Sequence, residues 1–152
     1  MKIIKKSEIG EVIGYRAEPS EWLTVDQEKI NKFADCTLDQ QFIHVDPNKA
    51  KNTSFGGTIA HGFLNLSLLS HFSKDFSVVI DGVYMGVNYG FNKVRFIAPV
   101  KVDSRIRCIG KTVDIIEKKP GQFLLTYEVT VEVEGEEKPA LKAEWINMQM
   151  VA

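Results

Sequence analysis

The feature that most constrains the fold is an alternation of apolar and polar residues near the C-terminus of the 152-residue chain. From Phe123 to Glu134 every second residue is a large apolar one, and threonine or glutamate fills most positions between. Because successive side chains of a strand point to opposite faces, this period predicts a strand with one face on a core and the other in water. Half-buried strands of this kind are typical of antiparallel sheets.

Turn signals and further alternating segments surround this strand. Pro120-Gly121 precedes it, and Gly135 within Glu134–Lys138 follows it. Four more strands are predicted, over Val83–Tyr89, Lys93–Ile97, Arg105–Ile116 and Leu141–Val151. The second half of the chain is therefore predicted to form one long antiparallel sheet.

The first half carries helical signals instead. Thr24 and Gln27 have the spacing of a capping box and predict a helix over Val25–Ala34. An acidic cap followed by proline, Asp46-Pro47, predicts a second, brief helix. A third helix is predicted over His61–Asp75, and because its apolar positions run nearly all the way round, it should be buried. The predicted class is α+β, with a sheet around one buried central helix, in a single domain spanning residues 1–152.

Charge and hydropathy exclude several classes of partner. The formal net charge is −1 and no basic stripe is present, so nucleic acid is not an expected partner. No window approaches the roughly 20 apolar residues that span a bilayer, and Met1–Lys6 leads into no apolar signal segment, so we expect a cytoplasmic protein. The two cysteines, Cys36 and Cys108, fit neither a CxxC motif nor a disulfide framework and are interpreted as buried small residues. The alternative for Cys36, which lies close to Asp39 in the chain, is a reactive role.

Candidate chemistry begins on an irregular segment between the first two helices, which carries Asp39 and His44. A histidine exchanges protons near neutral pH, and a carboxylate beside it can orient a water molecule or share the proton transfer. The structural alternatives are that Asp39 caps a turn and that His44 is a hydrogen-bonded core histidine. Asp46 is explained by helix capping and receives no catalytic role.

A second candidate segment runs through Gly56-Gly57 into the central helix at His61-Gly62. The free N–H groups of a helix start suit a thioester carbonyl that gains negative charge, with Gly62 as donor; the alternative is that the glycines only permit a tight turn. His61 is interpreted as structural, with a third catalytic group as the alternative, and His71 as partly exposed. No HExxH, His-x-His or cysteine pair is present, so no metal site is predicted.

These residues and their spacing resemble the MaoC-like, (R)-specific enoyl-CoA hydratase family, and within it the NodN-like branch. The family motif has an Asp, a His five residues later and then Asp-Pro, matched by Asp39, His44 and Asp46-Pro47. The other matching elements are His61-Gly62 at the start of the central helix, Ser70 on that helix, and a Phe-x-x-Pro-Val element within Val94–Val100. Gln41-Phe42 stands where the commoner motif has Asn-Pro, which indicates the NodN-like branch and leaves the acyl preference open.

The resemblance implies a hot-dog fold, a curled antiparallel sheet around a long central helix, that pairs into a homodimer. It implies hydration of trans-2-enoyl-CoA-type thioesters to (R)-3-hydroxyacyl thioesters, on CoA or an acyl carrier, without a further cofactor. Asp39 and His44 would be the catalytic pair, and Gly62, Ser70 and His61 would bind the substrate or its oxyanion. The alternatives are a hot-dog thioesterase and a non-catalytic acyl-binding protein.

Overall fold

The computed structural model describes residues 1–152 and contains seven strands, five short α-helices and one 3-10 helix. The strands are β1 (Lys2–Ile4), β2 (Leu23–Val25), β3 (Val78–Ile80), β4 (Val83–Phe96), β5 (Ser104–Lys119), β6 (Gln122–Val133) and β7 (Leu141–Val151). The helices are α1 (Gln27–Thr37), α2 (Phe42–Val45), α3 (Pro47–Ala50), α4 (Gly62–Ser67) and α5 (Leu69–Phe76), with the 3-10 helix at Lys6–Val12.

Five of the strands form one antiparallel sheet in the order β2-β5-β6-β7-β4. The short strands β1 and β3 pair in parallel as a separate two-stranded sheet. The predicted long strands at β5, β6 and β7 are confirmed, and on β6 the residues from Phe123 to Val133 at every second position are buried. The α+β class is confirmed, with α5 packed against the sheet.

The centre of the core lies where α5 meets the sheet. Phe72 and Phe76 are buried, and the Phe76 ring packs edge-on against Tyr127 at 5.5 Å and near Trp145 at 6.3 Å. The Phe76 ring also lies on Gly110 of β5 so closely that a Cβ atom there would meet it at 2.3 Å. Only glycine allows the helix to approach the strand this closely.

The prediction for the start of the first helix needs correction. The first helix begins at Gln27, and its cap is Asp26, whose side chain accepts from the Lys29 N–H at 2.8 Å. Thr24 is instead paired with β5, so the chain enters the helix later than the capping box predicted. The second start is confirmed, since the Asp46 side chain accepts from the Lys49 N–H at 3.0 Å.

The central helix forms as α4 and α5, which meet at Leu68, and its burial is less complete than predicted. Phe63 is 66% exposed, and Ser70 is exposed as well. Ser70 instead lines a cavity of about 250 Å³ between this side of the helix and β4. The prediction of burial on most sides is therefore wrong: α5 buries only the side that carries Leu69, Phe72 and Phe76, and the side that carries Phe63 and Ser70 is exposed.

The predicted strands at Val83–Tyr89 and Lys93–Ile97 are one strand, β4. Register shifts between Asn88 and Gly90 and between Phe91 and Lys93 interrupt its alternation, which is why the sequence pattern divides it. The strand lies at the edge of the sheet, and nearly all of its side chains are exposed.

Two remaining predictions have different outcomes. Cys108 is buried as predicted, whereas Cys36 is exposed on α1, because only the side of that helix that carries Ile30 and Ala34 faces the core.

No helix is both long and apolar enough to cross a membrane.

Candidate active site

Asp39 follows an abrupt end to α1. Leu38 adopts a left-handed conformation with φ of 62°, which ends the helix and turns the chain away from it. The Asp39 carboxylate is exposed, and its Oδ1 accepts a long hydrogen bond of 3.4 Å from the Gln41 N–H. The second carboxylate oxygen is left available for another partner.

His44 lies on α2, and its orientation is fixed by the main chain. The ring is only 7% exposed, and Nδ1 donates to the Ile59 carbonyl at 2.7 Å. Since a carbonyl only accepts, Nδ1 carries the proton, which makes Nε2 the basic nitrogen of the neutral ring. An imidazole held in this tautomer is suited to take a proton from a nearby water molecule.

The Ile59 carbonyl is itself held by an extended segment. The Ala60 N–H donates to Val100, and the Val102 N–H donates to Thr58, at 2.8 and 2.9 Å respectively. The Ile59 N–H donates to Ile43 on α2 at 3.0 Å. Because both sides of the segment are paired, the acceptor that orients His44 is part of a rigid framework.

Gln27 on α1 ties these parts together. Its side-chain Nε2 donates to the His44 carbonyl at 2.7 Å, and its Oε1 accepts from the Thr58 hydroxyl. The sequence interpretation assigned Gln27 to a helix cap and missed this role. No local signal could have found it, because both partners are distant in the chain.

His61 stands immediately before α4 and completes the cluster. Its ring is 3% exposed and stacks on the His44 ring, with centroids 3.8 Å apart and an interplanar angle of 24°. Its Nε2 donates to the Asp39 main-chain carbonyl at 3.0 Å. Asp39, His44 and His61 thus each bring a side-chain O or N atom to within 4.8 Å of the others.

Burial lowers the pKa of His44 below its ordinary value of 6.5. The hydrogen bond to the Ile59 carbonyl opposes this shift, as does the Asp39 charge, while His61 reinforces it. The ring is therefore neutral at neutral pH and can accept a proton.

Two histidines and a carboxylate also form a set of ligands that many metal ions accept. The ring stacking argues against a shared ion, because a metal lies close to the plane of each imidazole that binds it, and two stacked planes do not converge on one point. This geometry suits proton transfer better than metal binding.

Gly62 is the first residue of α4, so its N–H has no acceptor one turn earlier in the helix. The Phe96 ring covers its Cα, and a Cβ atom on Gly62 would lie 3.0 Å from that ring. Phe96 and Phe63 form an edge-to-face pair at 5.8 Å beside this position. Gly62 therefore follows the histidine cluster directly, whereas Ser70 lies further along the helix, in the cavity against β4.

Comparisons with known sequences show which proteins this chain is similar to. The family described as MaoC like domain matches residues 8–136. The chain is 46% identical to nodulation protein N of Rhizobium meliloti (strain 1021), over 96% of this chain and 91% of that one. It is 45% identical to 3-hydroxyacyl-thioester dehydratase Z of Mycobacterium tuberculosis (strain ATCC 25618 / H37Rv), over 92% of each. The predicted MaoC-like and NodN-like resemblance is confirmed.

A solved structure supports the fold. The chain is similar to the (R)-hydratase from A. caviae involved in PHA biosynthesis, with a TM-score of 0.73 and 21% identity over 89% of this chain and 94% of that one. At this identity the likeness concerns the fold alone. The predicted hot-dog fold, a curled antiparallel sheet around a central helix, is confirmed.

Proposed function

This chain belongs to the MaoC-like domain family, and from that membership we propose that it is a hydro-lyase acting on acyl thioesters. The reaction is the reversible addition of water to a trans-2-enoyl thioester, which gives the 3-hydroxyacyl thioester. The 45% identity to a 3-hydroxyacyl-thioester dehydratase supports the reaction class. The (R) configuration of the product rests on the resemblance of the Asp39–His44 motif to that of (R)-specific hydratases.

The observation that carries the proposal is the tautomer of His44. With Nδ1 donating to Ile59, the unprotonated Nε2 is the atom free to receive a proton, and the Asp39 carboxylate lies in the same cluster. A carboxylate and a neutral imidazole this close can hold one water molecule between them. A protein that only bound acyl groups would have no need of this pair.

The hydration step balances without an added reagent. The water oxygen forms a bond to C3 of the enoyl group while one of its protons passes to the Asp39–His44 pair. The pair delivers a proton to C2, and the C2–C3 double bond becomes single. Asp39 and His44 act as a unit, so the two proton transfers belong to the pair.

The start of α4 activates the alkene. The Gly62 N–H donates to the thioester carbonyl and stabilises the negative charge that develops on its oxygen as water attacks. Gly62→Ala would bring a methyl group to 3.0 Å from the Phe96 ring and displace one of them. The family resemblance implies that Ser70, which lines the cavity against β4, also binds the substrate.

A second copy of the chain pairs along β4. Edge strands this long and apolar are normally covered in native proteins. The exposed apolar residues on this strand are Tyr84, Met85, Val87, Tyr89, Phe91 and Phe96. Sedimentation equilibrium should give a dimer, and Val87→Glu should shift it toward monomer; a monomeric wild type at micromolar concentration would contradict the pairing.

The reaction is tested by the loss of enoyl-thioester ultraviolet absorbance with crotonyl-CoA and longer trans-2-enoyl-CoAs. Asp39→Asn keeps the shape of the side chain and removes its charge, so turnover should fall by about 100- to 10,000-fold. A thiol reagent in the same assay separates hydration from thioester cleavage. Release of free thiol would favour a thioesterase, and substrate binding without an absorbance change would favour a binding protein.

A further inference from the structure

His61 has contacts unlike those of a group that binds substrate. Its ring is 3% exposed and packs between His44, stacked at 3.8 Å, and Phe33, tilted at 5.0 Å. Its Nε2 donates a hydrogen bond to the Asp39 carbonyl. The other ring nitrogen, Nδ1, is buried without a hydrogen-bond partner in the protein. Because His61 is almost fully buried, the ring has no surface on which an acyl chain could lie.

The same contacts connect His61 to both members of the catalytic pair. The hydrogen bond reaches the main chain of Asp39, a residue on an exposed segment that begins at the left-handed Leu38. The stack reaches the ring of His44, which rotates only about its side-chain bonds and is fixed at one nitrogen by Ile59. His61, just before the central helix, therefore contacts both Asp39 and His44, which lie on an earlier segment of the chain.

We propose that His61 is a positioning residue, which holds Asp39 through its main-chain carbonyl and His44 through ring stacking so that the pair faces one water molecule. This role rests on the proposed hydration reaction. Misplacement of a reacting group by about 1 Å can cost about 100-fold in rate, so a residue that fixes two such groups affects turnover without touching the substrate.

The two contacts are separable by substitution. His61→Phe keeps a flat ring for the stack and removes the donor. His61→Gln keeps a side-chain N–H at about the reach of Nε2 and removes the ring. His61→Leu removes both contacts. His71, exposed on α5, provides the matched control in His71→Phe.

Steady-state kinetics with crotonyl-CoA distinguish positioning from binding. For positioning, kcat should fall about 10- to 100-fold in His61→Phe and further in His61→Leu, with KM within about threefold of the wild type. In His61→Gln, which keeps the donor, kcat should fall less than in His61→Leu. A rise in KM with unchanged kcat would overturn the proposal, because it would place His61 in contact with substrate. Wild-type kcat in all three variants would also overturn it.

The pH dependence of kcat/KM would not change if His61 had a purely structural role, so it provides a second test. The titratable groups around His44 are Asp39, which raises its pKa, and His61, which lowers it; Phe33 on α1 contacts His61 and does not titrate. Removal of His61 should therefore move the acid limb of kcat/KM to higher pH in both His61→Phe and His61→Gln. The limb should stay in place in His71→Phe. An unmoved limb in the first two would contradict the coupling of the rings.

A measurement on the wild type covers the case in which the variants do not fold. Long-range ¹H–¹⁵N spectra assign the tautomer of each histidine, and the proposal requires a proton on Nε2 of His61 and on Nδ1 of His44. A His61 protonated on Nδ1 alone would overturn it. This result does not depend on the substrate, so a protein that hydrates no enoyl thioester would refute the proposed function while leaving the contacts of His61 testable.

Discussion

The two ends of the central helix are built for different purposes. At its start, His61 contacts Asp39 through one hydrogen bond and His44 through a ring stack. At its end, Phe76 meets Gly110, Tyr127 and Trp145, and the contacts are apolar. The start of the helix can hold a site in place because the far end is fixed by close packing.

The division is also one of chain geometry. The start of the helix faces irregular backbone, where polar groups that are free to meet a ligand are tolerated. The end faces the middle of β5 and β6, whose backbone groups are already paired in the sheet. We therefore expect substitutions at the start to reduce turnover more than stability, and substitutions at the end to do the reverse.

The largest expected effect is at the start of the helix. His44→Gln removes the basic nitrogen, and turnover of a trans-2-enoyl-CoA should fall by about 100- to 10,000-fold. The free energy of unfolding should fall by only about 1–3 kcal/mol, the cost of weakening one buried hydrogen bond. Both are measured on the same preparation by initial rates and by urea denaturation.

The control for this prediction is His71→Gln, which changes an exposed histidine on α5 and should alter neither quantity measurably. A His44→Gln enzyme with near-wild-type turnover would remove the functional distinction between the two ends.

At the other end, Phe76→Ala should cost about 3–5 kcal/mol of unfolding free energy, because it deletes a buried aromatic ring and leaves a cavity. Turnover per folded molecule should stay close to that of the wild type at low temperature. Denaturant midpoints and active-site concentration measure the two effects separately. A variant of normal stability and low turnover would show that the far end takes part in catalysis.

Gly110→Ala tests the packing at the far end of the helix with a smaller change. The added methyl group would lie 2.3 Å from the Phe76 ring, so ring or strand must move, at a cost of about 1–3 kcal/mol. Because the clash involves one partner, Gly110→Ala combined with Phe76→Leu should cost less than the sum of the two single changes. Additive costs in denaturation experiments would mean that the strain lies elsewhere.

The sequence predicts each end to a different extent, and the reasons are physical. The burial of Phe72 and Phe76 follows from local periodicity, and Asp39 and His44 are recognisable from their spacing in a known motif. Gly110 in β5 looks like any other glycine, since only the approach of Phe76 from a distant helix gives it a purpose. Gln27 and the Ile59 carbonyl are likewise defined by partners that no local pattern reveals.

The smallest expected effect is a dependence of stability on pH that differs between the two ends. The pKa of His44 is lower in the folded protein than the ordinary value near 6.5, so below that pH the unfolded chain binds a proton that the folded chain does not. The contribution of neutral His44 to the free energy of unfolding is therefore present above about pH 6.5. It is lost as the pH falls, by at most about 1.4 kcal/mol per pH unit.

Tyr127, which packs against Phe76 at the far end, behaves in the opposite sense. Burial raises its pKa from 10.0 to about 12, so the unfolded chain releases a proton first and stability is lost as pH rises above about 10. Denaturation of His44→Gln and Tyr127→Phe across pH should show that the first weakens only the acid loss and the second only the alkaline loss. If either substitution altered both limbs, the two ends of the helix would be electrostatically coupled, and the separation between a catalytic end and a packing end would not hold.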